Sequence, residues 1–329
     1  MRLSTGVVAG DGKEGFSRTL RGFFPGGKAA IICTDKSAGK DLGKALGENY
    51  TTYVFGIGET ERLAEDVRFL IGFGNYTVVS EVKKLAENRK FAFYSTAFDY
   101  SFLYGGEGNE LLPEFVYLDE NVDNVDSREF VLRLYSALFC LCSEGLYKVL
   151  YTSAMPYRDK GMKGLCDSAK KVLGGETDKS TFVPESLRLI TALCNAFYAS
   201  KTALITQKMA KKYSFAPCER FLSAYFADLF IVNFTKRRFR DILLPSEEPT
   251  SSLESTFLNE AFDGDLFFTS EELTRYARTV RSLKELPTAD RRLLTKILYE
   301  SVDESNPLFA GIKNQGIMEG LYYERLKGN

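Results

Sequence analysis

Between residues 29 and 118 the chain alternates short apolar runs with stretches of helical spacing. AAIICT (29–34) is an apolar β-type run ending at Asp35, and TYVF within 50–55 is a second run, rich in β-branched and aromatic residues. Residues 37–46 between them have helical character. ETERLAEDVRFL (59–70) places Leu63, Val67 and Leu70 on one helical face and predicts a helix. The apolar residues 71–73 open into Gly74-Asn-Tyr-Thr77, followed by a helix-like run to residue 88. FAFY (91–94) and EFVYL (114–118) are two more short strands. Strands alternating with helices at this spacing imply a parallel sheet with helices on its faces.

From about residue 127 the pattern changes. Long periodic apolar segments at 130–149, 186–212, 218–239, 273–283 and 289–299 predict amphipathic or buried helices. The polar stretch DENVDNVD (119–126) reads as a linker, so the expected domains are an α/β domain over 1–125 and an all-α domain over 126–329. LPSEEPTSS (244–252) reads as a polar, proline-bearing loop. No internal repeat stands out.

Composition narrows the function classes. The 329 residues include no histidine, so the chain has no imidazole for a metal and no side chain with an ordinary pKa near 7. Ser-His-Asp and Cys-His catalysis are thereby excluded. Forty-three basic against 44 acidic residues give no electrostatic case for nucleic acid. Six cysteines (33, 140, 142, 166, 194 and 218) lie mostly in apolar runs, which suits reduced core thiols in a cytoplasmic protein. No run approaches the roughly 18 apolar residues of a membrane span, and the N-terminus has no apolar signal region. Eighteen tyrosines and 26 phenylalanines point to a large aromatic core.

The segment IGFGNYTVVSEVKKLA (71–86) carries the main motif. Gly72-x-Gly74 between a strand and a helix lets the backbone approach a phosphate, with Asn75, Tyr76 and Thr77 at the helix start supplying donors. Taken alone, such a turn is more often only a turn. The run resembles the G-x-G-G-G-[ST]-x-x-D-x-A-K segment of the superfamily of iron-containing alcohol dehydrogenase, glycerol dehydrogenase and dehydroquinate synthase. KAAIICTDK (28–36) resembles its first strand, whose terminal acid, here Asp35, faces the adenosine ribose. FAFYSTAFD (91–99) is similar to the strand entering the Pro-Thr motif, with Thr96 kept, and PEFVYLD (113–119) to the strand before the helical domain. Order and spacing match over most of residues 20–150.

The resemblance implies a Rossmann-like, NAD(P)-binding domain followed by a helical domain, the dehydroquinate synthase-like architecture, with a small molecule in the cleft between them. The departures imply lost chemistry. Asn75 and Tyr76 replace two loop glycines, Ser80 the loop-helix acid, Ser95 the proline and Ser101 a substrate-holding acid, although Lys83 is retained and Asp99 stands nearby. Alignment puts Ala137 at the metal aspartate, Pro217 (before Cys218-Glu219) at one histidine, and a residue near Thr202 at the other.

No metal is therefore expected, and no catalytic residue is assigned. Glu144, Glu185, Glu219, Asp228 and Asp241 are scattered without ligand spacing. Lys201 beside Tyr198, Lys211 beside Tyr213 and the basic run KRRFR (236–240) read first as helix-surface groups. Two function classes stay open. One is a metal-free pseudoenzyme or binding protein. The other is an NAD(P)-dependent oxidoreductase acting on an alcohol, polyol or sugar phosphate with a rebuilt site. NAD against NADP, and oligomeric state, are not decided by the sequence.

Overall fold

The computed structural model describes residues 6–59, 63–86, 89–96, 98, 100–103, 113–120, 127–152, 165–174, 179–196, 201–210, 215–235, 266–282, 296, 300 and 309. The chain divides into two compact units, Met1–Asp126 and Ser127–Asn329.

The first unit is built on six strands: β1 (Gly6–Gly10), β2 (Gly27–Cys33), β3 (Tyr50–Gly56), β4 (Phe69–Gly74), β5 (Lys90–Ser95) and β6 (Phe115–Asp119). They form one sheet in the order β1-β6-β5-β4-β2-β3, and every neighbouring pair is parallel. Helices α1 (Gly12–Phe23), α2 (Lys36–Leu46) and α3 (Tyr76–Leu85) make the crossovers, and a short 3₁₀ turn spans Ser101–Leu103.

A parallel sheet covered on both faces needs strands that are apolar throughout. Ala29 to Cys33 and Phe69 to Ile71 accordingly are fully buried. Alternate residues divide between the faces. Ala29, Ile31, Cys33, Phe69, Ile71, Phe73, Ala92, Tyr94, Phe115 and Tyr117 pack with Phe16 and Leu20 of α1 and Leu42 and Leu46 of α2. The other face meets α3: a side chain at Gly72 would strike the Phe93 ring and come within 3.1 Å of Val82 Cγ2.

Phe16 is the hub of the first face. Its ring lies 5.2 Å from that of Tyr94 and 5.7 Å from those of Phe115 and Tyr117. The aromatic core expected from composition thus takes a definite form, with α1 joining three rings of β5 and β6 through one phenylalanine.

The second unit contains α4 (Ser127–Thr152), α5 (Leu165–Leu173), α6 (Lys179–Ala196), α7 (Lys201–Ala210), α8 (Phe215–Thr235) and α9 (Leu266–Ser282), and no strand among the described residues. Among its described residues, no helix is long and apolar enough to cross a membrane.

The fold class is as expected: a parallel α/β unit, then a helical one. Three details differ. The predicted helix over 59–70 is not present in its described part: residues 63–68 form turn and irregular backbone, and Leu70 belongs to β4. The continuous buried run of β4 outweighs the accidental helical spacing of Leu63, Val67 and Leu70. β1, α1 and α5 were not foreseen. The segment 186–212 is two helices, α6 ending at Ala196 and α7 starting at Lys201. Residues 244–252, and 289–299 apart from Lys296, lie outside the described residues.

Truncating the hub should expose its importance. Phe16→Ala is expected to cost about 3–5 kcal/mol in chemical denaturation. Thr51→Ala, on the exposed side of β3, should stay within about 0.5 kcal/mol.

Candidate functional site

The winding of the sheet selects one place on it. From β2 the chain crosses by α2 to β3 on one side, and from β4 it crosses by α3 to β5 on the other. β2 and β4 are themselves paired, Cys33 lying opposite Phe73. The two crossovers therefore leave on opposite faces and open a crevice at the carboxyl ends of β2 and β4, where doubly wound sheets bind ligands.

Six of the seven sequence-predicted site residues fall at this edge, and the seventh, Gly72, lies just inside it. Asp35 follows β2, and Asn75, Tyr76 and Thr77 follow Gly74 at the end of β4. Thr96 follows β5 and is held to the loop by its amide, which donates to the Gly74 carbonyl at 3.4 Å. Thr34 is also close, its Oγ1 lying 3.8 Å from where a Gly74 side chain would begin.

Each residue has a local structural reason as well. Gly72 makes room for Phe93 and Val82, so its role is packing between β4, β5 and α3. Gly74 has φ +143°, a conformation that favours glycine. Asn75 is the N-cap of α3, its side chain accepting from the Thr77 amide at 3.2 Å. Asp35 is the N-cap of α2, with Oδ1 accepting from Ser37 N at 2.8 Å and Ala38 N at 3.3 Å. Tyr76 is half-buried as the first residue of α3, and Thr96 is exposed. Beyond Asp35, Lys36 pairs with Glu59, which also accepts the Gly56 amide at 2.9 Å. Burial, then the charge of Asp35, pushes the Cys33 thiol up from its ordinary pKa.

The positive φ of Gly74 and the first-turn amides of α3 leave backbone donors at the end of β4, while Asp35 is engaged in capping α2. The fit to a dinucleotide is partial, because an anion at α3 competes with the Asn75 side chain for the Thr77 amide.

A second glycine turn had gone unnoticed in the sequence. Gly10-Asp-Gly-Lys-Glu-Gly15 is a G-x-G-x-x-G segment directly after β1 and opening α1, and that spacing was its available signal. Its glycines answer to Tyr117. A Cβ on Gly10 would lie 2.6 Å from the Tyr117 hydroxyl, and one on Gly15 would collide with it. The helix start is also occupied by the protein's own carboxylate. Asp119 accepts the Gly12 amide at 3.4 Å through Oδ1 and the Tyr94 hydroxyl at 2.6 Å through Oδ2.

This turn is a poor anion site despite its motif, since a carboxylate already sits against the positive end of α1. Tyr117 itself is buried with no hydrogen-bond partner for its hydroxyl. Burial first, then Asp119, Asp11 and Glu120, push that phenol up to about 12.

No family model and no curated protein matches the sequence. Solved structures do match in fold. Maleylacetate reductase from Agrobacterium tumefaciens superposes with a TM-score of 0.58 at 13% identity, over 94% of this chain and 95% of that one. An iron-containing alcohol dehydrogenase from Corynebacterium glutamicum gives 0.58 at 14% identity, over 93% and 90%. Sulfoacetaldehyde reductase from Bifidobacterium kashiwanohense, in complex with NAD+, gives 0.56 at 10% identity, over 98% and 97%.

The chain has the iron-containing alcohol dehydrogenase fold. That fold family implies a metal in the helical unit, and the residues at the aligned positions do not fit one. Ala137, buried on α4, offers no donor. Thr202, at the start of α7, gives its amide and hydroxyl to Glu144. Pro217, at the remaining aligned position, has no ligating side chain, and Glu219 two residues further on α8 is ion-paired with Arg133 at 3.2 Å. Among the described residues no three His, Cys, Asp or Glu side chains are grouped to hold a metal ion. Asp99, Tyr198, Lys211, Tyr213, the basic run 236–240 and Asp241 lie outside the described residues.

Two substitutions separate structural from ligand roles in the first unit. Asp35→Ala should cost about 0.5–2 kcal/mol by loss of the α2 cap, read in urea denaturation without ligand. Tyr117→Phe should stabilise by about 1–3 kcal/mol, because it removes a buried hydroxyl that has no partner. A loss of stability instead would mean that hydroxyl is hydrogen-bonded.

Proposed function

We propose that this chain is a metal-free relative of the alcohol and aldehyde reductases whose fold it has, a nucleotide-binding pseudoenzyme rather than a metal-assisted dehydrogenase. The carrying observation is the donor set of the helical unit: Ala137 and Pro217 without a donor, Thr202 tied to Glu144, and nearby Glu219 tied to Arg133, in a chain with no histidine. A metal in such a reaction polarises the substrate oxygen and stabilises charge by several kcal/mol. Ala137, Thr202 and Glu219 provide no replacement for that electrophile.

The crevice between β2 and β4 is the ligand site in this reading. Gly74 brings backbone close to an anion, α3 contributes the amides of its first turn, and Asp35 receives ribose hydroxyls. NAD or NADP, when bound, would supply or accept a hydride. A cytoplasmic, reducing setting is supported by Cys33 and Cys140, both buried thiols outside any disulfide.

A second reading keeps the chemistry: an NAD(P)-dependent oxidoreductase on an alcohol, polyol or sugar phosphate with a rebuilt site. The retained Gly74 turn and Asp35 favour it, alongside the fold neighbour whose structure contains NAD+.

Turnover assays with NAD(P)H and short aldehydes, with and without added iron, zinc or manganese, separate the readings. The expected result is nucleotide binding by calorimetry with no metal-stimulated turnover. Robust metal-stimulated reduction would contradict the proposal, and metal-independent reduction would favour the second reading.

A further inference from the structure

We infer that buried charge pairs and a carboxylate cap cross-link α4, α7 and α8 in place of a metal ion, with Arg133 supplying the fixed positive charge between α4 and α8. This rests on the metal-free reading above and adds the groups that take over the metal's structural task.

The α4–α8 contact holds four charges in a crossed arrangement. Arg133 Nε of α4 lies 3.2 Å from Glu219 Oε2 of α8, and Arg220 Nε of α8 lies 2.6 Å from Glu129 Oε1 of α4. Each helix thus contributes one acid and one base. Glu219 is 1% exposed and the Arg133 side chain 16%, so these charges have left water and depend on one another. Arg133 also lies 5.6 Å from the centre of the Phe130 ring, which fixes the guanidinium from a third side. Tyr276 of α9 completes the cluster. Its buried phenol is pushed up first by burial and then by the charge of Glu219, with Arg133 opposing.

The α4–α7 contact is made differently. Glu144 of α4, 5% exposed, accepts the Lys201 amide at 2.6 Å, the Thr202 amide at 3.0 Å and the Thr202 hydroxyl. A carboxylate at the N-terminus of α7 meets both the open amides and the positive end of the helix dipole.

The other buried carboxylate of the described unit, Glu272 of α9, is held by Arg128 at 3.1 Å and Arg275 at 2.6 Å. Among the described residues, the buried acids Glu144, Glu219 and Glu272 are therefore each met by the protein's own cations or hydrogen-bond donors. A divalent ion would have to break such a tie before finding a ligand, and would leave a guanidinium or helix end uncompensated.

The test uses the full chain purified without chelator or metal-affinity resin. Elemental analysis should find far less than one equivalent of iron, zinc or manganese, and EDTA should leave Tm unchanged. Arg133→Met strands the Glu219 carboxylate and should lower Tm by about 6–12 °C. The double variant Arg133→Met/Glu219→Met, which removes both charges, should recover most of that loss. Should the single variant fail to fold, recovery of a folded, melting protein in the double variant carries the same information.

Stoichiometric metal, or a Tm that falls with EDTA, overturns both this inference and the metal-free reading. Metal-free protein in which Arg133→Met leaves Tm unchanged overturns the inference alone. So does metal-free protein whose double variant is no more stable than the single one.

Discussion

An all-parallel sheet buried on both faces, wound in two directions from one adjacent pair of strands, is the constraint behind the N-terminal unit. Parallel strands cannot be joined by tight turns, so each connection must cross a face. With α1 and α2 on one face and α3 on the other, the strands must be apolar on both sides, and β2 and β4 must be the point of reversal. The crevice at their carboxyl ends follows from topology before any side chain is considered. Asp35 and the Gly74–Thr77 loop lie there because they are the first residues after those strands.

The local chemistry at that edge serves the fold first. Asp35 and Asn75 are helix caps, and Gly72 exists to let Phe93 and Val82 meet over β4. The groups at the crevice are therefore already committed to α2 and α3. The same economy governs the β1–α1 turn, where a motif associated with phosphate cradles instead makes room for Tyr117 and is closed by Asp119. In the helical unit the described buried acids likewise answer to arginines and to the α7 amides. For a carboxylate as buried as Glu219, an unpaired charge would be costly.

Much of this was legible in the sequence, for reasons that differ by element. β2, β3, β5 and β6 announce themselves through short apolar or β-branched runs, and α4, α8 and α9 through long periodic ones. β4 was obscured because Leu63, Val67 and Leu70 mimic a helical stripe that stops where the real strand begins. β1 was missed because GVVAG is short, half-buried and lies at the sheet edge, where the hydrophobic signal is weak. The residues at the crevice were readable from their places after β2, β4 and β5, but their capping roles were not. The contacts of Tyr117 with Gly10 and Gly15, and of Arg133 with Glu219, join residues far apart in sequence. No local pattern carries such pairings, and Glu219 in the sequence is one of several scattered acids.

The central claim is that the β2–β4 crevice, and no other part of the first unit, receives a nucleotide. Amide hydrogen exchange of the full chain with and without saturating NAD+ or NADP+ tests it directly. The expected result is protection concentrated at residues 34–38 and 74–79. Protection at residues 10–15, or none in either segment, would contradict it.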